Sequence, residues 1–266
     1  MLNALKSLLR PRPERRSAAV PAGQRVYAVG DVHGRLDLFA ALSAAIDADD
    51  AAAGPAETTV ILLGDLVDRG PDSAGVIAAA RAWSRRRTVR FIGGNHEEMM
   101  LAAPDDLDML RLFLKHGGRE TLLSYPVCAK AYQSAEFAQV QVLMREAVPA
   151  EDIAFLAAGE DTIRIGDYLF VHAGIMPGVP IEEQQGGNLR WIREPFLGYQ
   201  GDHGMVVVHG HTITEEAEIR PNRIGIDTGA YYTGRLTALA LEGTGQRLIE
   251  AREEAGMIAI HTRSIA

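Results

Sequence analysis

The chain has 266 residues and a mass of 28.8 kDa, enough for one large domain without requiring two. Hydrophobic residues make up 47% and charged residues 23%, the balance of a globular protein, which excludes a largely disordered chain. A net charge of -8 argues against nucleic acid as the main partner, because phosphate backbones are bound by basic faces.

That charge is unevenly spread. Residues 1–22 carry +4 through Lys6, Arg10, Arg12, Arg15 and Arg16 against Glu14, so the remainder carries -12. The opening MLNALKSLLRPRPERR holds only a short apolar stretch broken by charges and prolines. It is too polar to span a membrane and lacks the cleavage site of a secretory signal, so it reads as a mobile basic arm with no stable membrane insertion. Cys128 is the single cysteine, which rules out an intramolecular disulfide and a Cys-rich metal site. It reads as a small buried hydrophobe, and a cytoplasmic location fits best.

The first predicted strand is RVYAVG (residues 25–30), an apolar run ending at glycine. Residues 36–47 have helical spacing, TTVILL (58–63) is a second strand, 72–86 a second helix capped by Asp72 or Ser73, and 88–92 a third strand. Strand, helix, strand, helix, strand with short connections predicts βαβ units and a parallel sheet. Residues 97–158 form a helical insert broken at Pro104, Gly117–Gly118, Pro126 and Pro149. Strand signals return as TIRIG, YLFVHAG, MVVVHG, RIGID and RLTALAL, whose close spacing predicts a largely antiparallel second half. The expected organisation is a basic arm over 1–22 and one domain over 23–266.

Five glycine-flanked clusters of metal-capable side chains follow predicted strands: GDVHG (30–34), GDLVDRG (64–70), GNHE (94–97), HAG (172–174) and HGHT (209–212). Strand ends are where α/β sheets gather ligands, so the polar residues of all five are expected at one sheet edge. Asp and Asn oxygens with His nitrogens, and no thiolate, suit Mn²⁺, Fe or Zn²⁺ in a pair. Two such ions lower the pKa of a shared water and hold phosphoryl oxygens for in-line attack. Taken singly, each cluster could be a capped turn or a core histidine; five in succession are not plausibly coincidence.

Together these residues resemble the signature of the PPP-type phosphoprotein phosphatases within the calcineurin-like metallophosphoesterases, nearest to the short bacterial and lambda phage phosphatase branch. The closing RIGIDTGAYYTGRLTALAL is also similar to the symmetrical diadenosine tetraphosphatases. The likeness spans about residues 25–242 and is specific for fold and metal chemistry, less so for substrate. It implies an α/β fold, a βαβαβ core of mixed sheets flanked by helices. It also implies that Asp31 and His33 hold one ion, Asp65 bridges both, and Asn95, His172 and His211 complete the second. The ions would be two divalent cations, Mn²⁺ foremost, activating a bridging hydroxide. His96 would be the general acid, oriented by Asp68, with Arg69 and Arg193 gripping phosphate. His209 would stand behind the ligands.

Phosphoprotein-directed members often carry arginine where this chain has Gly93. That absence keeps dinucleoside tetraphosphate hydrolysis open as the alternative. The complete ligand set, His96 with Asp68, and Arg69 with Arg193 make a serine/threonine phosphomonoesterase acting on phosphoproteins or phosphopeptides the leading expectation, with a non-enzymatic metal-binding scaffold as a third. Among other residues, Glu97 and Glu98 read as helix-start charges and Arg85–Arg87 as a solvated cluster. Met99, Met100, Met109 and Met144 read as core, and His116 as a helix-end cation. Tyr231 and Tyr232 serve equally as core or as substrate packing.

Overall fold

The computed structural model describes residues 17–265. The chain opens with β1 (Gln24–Val29), α1 (Leu36–Ala53), β2 (Glu57–Leu62), α2 (Ser73–Ser84) and β3 (Val89–Phe91). The three strands pair in parallel, Val29 opposite Leu62 and Leu62 opposite Phe91. Asp72 caps α2 by accepting the Gly75 N–H at 2.8 Å, which satisfies one of the donors a helix start leaves free.

The insert begins with α3 (Asn95–Ala102) and continues through five further α-helices, the last Ala150–Ala157. A kink at Gly117, whose φ is 107°, interrupts it within Leu114–Gly118. Met99, Met100 and Met144 are fully buried and Met109 packs against the same cluster, so the insert closes over one face of the first sheet as its methionines suggested.

A second sheet holds β4 (Thr162–Ile165), β5 (Tyr168–Val171), β6 (Val206–His209), β7 (Glu218–Ile219) and β8 (Arg223–Gly225) in the order β4-β5-β6-β8-β7. The expected antiparallel pairing holds at the edges of this sheet, β4 with β5 and β7 with β8, but not at its centre. β5, β6 and β8 run parallel, because the long segments between them cross back over the sheet instead of turning as hairpins. Antiparallel pairing holds for β9 (Arg235–Glu242), β10 (Gly245–Glu254) and β11 (Met257–Ser264), which extend the first sheet to the order β11-β10-β9-β1-β2-β3. The β10–β11 pair was not anticipated: β10 is rich in Arg and Glu, and β11 offers only the short apolar run MIAI (257–260).

The two sheets pack face to face. Along β1 the side chains alternate: Val26 and Ala28 join Ile61, Phe170, Val208 and Leu239 between the sheets. Tyr27 and Val29 join Leu38, Ile77 and Trp83 under the helices. Every one of these residues is at most 1% exposed, as expected for strands covered on both faces. The C-terminal ends of β1, β2, β3, β5, β6 and β8 thereby reach a common rim built from two sheets.

Of the expected basic arm, residues 1–16 lie outside the described residues. From Ala19 the chain is docked: its N–H donates to Asp167, and buried Val20 donates to the Gly243 carbonyl. Cys128 is exposed, not buried, because it precedes the short surface helix Ala129–Ser134. Nor is Arg87 solvated; it bonds Asp47 and Asp50 and lies over Trp83. No helix among the described residues is long and apolar enough to cross a membrane.

Candidate metal centre

The six predicted ligand side chains meet at the rim. His33 Nε2 lies 3.6 Å and His172 Nε2 3.4 Å from opposite oxygens of Asp65. Asn95 Oδ1 is 3.0 Å from His172 Nε2 and 2.9 Å from His211 Nδ1. Asp31 receives the His211 N–H on both oxygens, at 3.2 and 3.0 Å. None of the six is more than 8% exposed. Asp65 therefore stands between two groups of donors, one with His33 and His96 and one with His172 and His211.

Local backbone geometry explains why these residues sit on turns. Among the described residues, six other than glycine have left-handed φ, and five of them belong here: His33, Asp65, Asp68, Arg69 and His211. Such conformations cost about 1–3 kcal/mol each and persist only where the surroundings impose them. Two glycines make room for the turns. A Cβ on Gly94 would lie 2.2 Å from Asp65 Oδ1, and one on Gly210 would lie 2.0 Å from Asp31 Oδ1.

Hydrogen bonds set the tautomers. His33 Nδ1 donates to the Val67 carbonyl and His172 Nδ1 to the Leu63 carbonyl, both at 2.7 Å, which leaves each Nε2 lone pair facing Asp65. Burial lowers the pKa of both histidines and takes His211 down to about 3, helped by His172, so all three are neutral donors near pH 7. Burial raises Asp31 well above the ordinary carboxylate value, reinforced by the charges of Asp227 and Asp65. These residues fit a pair of divalent cations: two neutral imidazoles and an amide oxygen on one side, carboxylates and one neutral imidazole on the other, with no thiolate. Two buried polar atoms at this rim, His211 Nε2 and Asp227 Oδ2, have no hydrogen-bond partner, as atoms awaiting a cation or its water would.

His96 sits beside this cluster on α3. Its Nδ1 is 2.6 Å from Asp68 Oδ2, and its Nε2 faces Asp65 Oδ2 at 3.9 Å. Burial lowers its pKa, but Asp65 and Asp68 outweigh that and raise it overall. Asp68 is held by Thr121, which donates to its Oδ1 at 2.7 Å. Arg69 donates to both His33 Nε2 and His96 Nε2 at 2.9 Å and lies 4.9 Å from the centre of the Tyr231 ring. Arg193 is exposed and donates to Thr212 in the turn that carries His211. Trp191, two residues earlier, donates to Glu98 and presents its ring edgewise to His211.

Several secondary readings change. Glu97 caps α3, but it is also 1% exposed and accepts the N–H groups of Gly94, Asp65 and Leu66 at 2.8–2.9 Å. It braces the turn that carries Asp65; burial, then Asp65, pushes it up to about 7. His116 is a rim residue, its ring 6.3 Å from His96. Burial and the charges of His96 and Arg69 lower it, so it is not a helix-end cation. Tyr231 lines the site, whereas Tyr232 is 81% exposed. His209 bonds the Gly210 carbonyl and Arg223 and packs on Phe196, with no bond to the six. Beside Gly93 lies Arg190, 3.9 Å from where a Cβ would stand, but Glu98 and Asp161 hold its guanidinium.

A family model decides the membership: the description "Calcineurin-like phosphoesterase" matches residues 24–239. The chain belongs to the calcineurin-like phosphoesterase family. It is thus a phosphoric ester hydrolase of a dimetal-dependent class. Among curated relatives, the asymmetrical bis(5'-nucleosyl)-tetraphosphatase PrpE of Halalkalibacterium halodurans is 26% identical over 79% of this chain and 87% of its own length. Serine/threonine-protein phosphatase 1 of Salmonella typhimurium is 26% identical over 82% of this chain and 93% of its own. A crystal structure provisionally described as a diadenosine tetraphosphatase superposes with a TM-score of 0.59 at 21% identity, covering 94% of this chain and 98% of its own. That last likeness speaks to fold alone.

Proposed function

We propose that this family member is a phosphomonoesterase acting on phosphoserine and phosphothreonine side chains of proteins. Asp31, His33 and Asp65 hold one divalent ion, and Asp65, Asn95, His172 and His211 hold a second; the mixed oxygen and nitrogen set suits Mn²⁺, with Fe or Zn²⁺ as alternatives. When bound, such a pair supplies an activated water near neutral pH and positive charge against the phosphoryl oxygens.

The protein's own residues do the rest. Arg69 and Arg193 grip the phosphate; Arg69 leaves the imidazoles when it does so, because its fork matches phosphate oxygens better than two lone pairs. His96, which takes up a proton from solvent at the Nε2 that Arg69 leaves, delivers it to the departing oxygen, while Asp68 orients the ring and stabilises its charged form. The observation that carries the reading is the 2.6 Å bond from His96 to buried Asp68. A protonated imidazole matters most for a poor leaving group such as a serine alkoxide. Arg69 and Arg193, bonded to imidazoles and to a hydroxyl instead of to carboxylates, also match a single phosphoryl group, whereas Arg35 and Arg190 are occupied by carboxylates.

A second reading, dinucleoside tetraphosphate hydrolysis, draws support from Gly93 and from the relative named as a tetraphosphatase. One assay separates them. Mn²⁺-loaded protein is expected to release phosphate from phosphoserine peptides well above an Asp65→Asn control. Failure there, with diadenosine tetraphosphate split to two ADP or to AMP and ATP, would overturn the first reading in favour of the second.

A further inference from the structure

Asp227 is a buried carboxylate to which the chemistry above gives no task. It follows β8, in the segment IDTGA, so the parallel order of β5, β6 and β8 delivers it to the same rim as His172 and His211. Only half of its side chain is used locally. Oδ1 accepts the Gly229 N–H at 2.9 Å, and its backbone carbonyl accepts the Thr214 N–H at 3.0 Å. Oδ2, in a residue 1% exposed, is buried with no donor group bonded to it, and the group against the Asp227 carboxylate is the carboxylate of Asp31.

Its neighbours make that oxygen stranger. The charges that act on Asp31 come foremost from Asp227 and then from Asp65. Three carboxylates, each at most 2% exposed, therefore crowd one side of the site. Arg69 is the cation that reaches both Asp31 and Asp227, and its own bonds go to His33 and His96. A buried carboxylate facing other carboxylates is unfavourable unless a cation joins it. Where a fold keeps such an arrangement, the missing partner is positive charge.

We infer that Asp227 is a third carboxylate of the ion site formed by Asp31 and His33, engaging that ion or its bound water through Oδ2. This rests on the ligand assignment proposed above. It makes the two halves chemically unequal: three carboxylates and one imidazole serve the first ion, whereas two imidazoles, an amide and the shared Asp65 serve the second. The first half is the harder site, suited to Mn²⁺ over softer ions.

The test is Mn²⁺ binding to metal-stripped protein, followed by titration calorimetry and by the electron paramagnetic resonance of free and bound Mn²⁺. Asp227→Asn keeps the shape and the Gly229 bond but removes the charge. It is expected to weaken one of two Mn²⁺ binding steps by about tenfold or more, leaving the other within twofold, since a charge at a cation site is worth on the order of a pKa unit or more. A thermal melt separates ligation from scaffolding. The stripped variant should melt at or above the wild type, because like-charge repulsion is relieved, and should gain less on adding Mn²⁺. A lower melting temperature without metal, an undiminished gain with it and two unchanged binding steps would overturn the inference. Wild-type protein that binds no Mn²⁺ would instead overturn the ligand assignment beneath it.

Discussion

The same strands end in two very different collections of charge. At their N-terminal ends, Asp49 is clasped by both terminal nitrogens of Arg247 at 2.7 and 2.8 Å. Asp50 receives Arg25, Arg87 and Thr58, each at 2.7 Å. Arg25, 1% exposed, also donates twice to Glu242. At the C-terminal ends, Asp31, Asp65 and Asp227 face one another and a ring of neutral histidines, with Arg69 as the nearby cation. The first collection completes its own electrostatics and needs nothing from outside. The second does not, and an incomplete set of buried charges is the physical mark of a site that takes a ligand.

That contrast can be broken first at His96. Replacing it with Asn should lower kcat on a phosphoserine peptide by about 10²–10⁴-fold, the usual contribution of a general acid, with bound metal unchanged. The loss on p-nitrophenyl phosphate should be much smaller, because nitrophenolate departs without a proton. Equal losses on both substrates would remove the acid role.

Glu97 tests whether the rim depends on its brace. Glu97→Ala strands three buried N–H groups, so urea unfolding of the metal-free protein should report a loss of about 3 kcal/mol or more, at roughly one per orphaned donor. An unchanged midpoint would show that the Asp65 turn holds without it.

The opposite end should behave as scaffold. Asp50→Ala should cost about 2 kcal/mol in unfolding free energy, below the range for a fully buried pair because Arg25 keeps Glu242. Its kcat/KM at neutral pH should stay within twofold of the wild type; a large fall would erase the distinction between the two ends.

The smallest effect is acid sensitivity. Arg247, opposed by burial and aided by Tyr27, holds Asp49 below the ordinary carboxylate value; burial raises Asp50, but Thr58, Arg25 and Arg87 outweigh it. Both groups are thus more acidic folded than unfolded. Their stabilisation is present above an unfolded pKa of about 3.9 and is lost as pH falls through the lower folded values. The doubly substituted Asp49→Asn, Asp50→Asn protein should show a flatter decline in urea midpoint below about pH 4 than the wild type. A parallel decline would place the acid lability elsewhere.

Much of this was legible in the chain. Apolar runs ending in glycine marked β1, β2, β3, β5 and β6, and the clusters after them supplied the six side chains that now surround Asp65. What escaped the sequence depends on contacts between distant segments. The parallel order of β5, β6 and β8 hides in long connections with little helix, so close strand spacing, which announced the antiparallel pairs, gave no sign of it. Asp227 stands in IDTGA without a histidine beside it and acquires meaning only through Asp31, far back in the chain. Glu97 looked like a helix-start charge because its second task, accepting the Asp65 and Leu66 N–H groups, crosses some thirty residues. Arg87 looked solvated because its partners Asp47 and Asp50 lie on α1, far from the bend after α2 that carries it.

The central claim, that the crowded rim is a seat for a pair of cations, is most directly tested by crystals of the protein grown with Mn²⁺ and measured for anomalous scattering at the manganese edge. Two peaks about 3.5–4 Å apart on either side of the Asp65 carboxylate are the predicted result, the spacing common to dinuclear hydrolytic sites. A map with no peak at that carboxylate, from crystals whose Mn²⁺ is bound elsewhere or not at all, would contradict it.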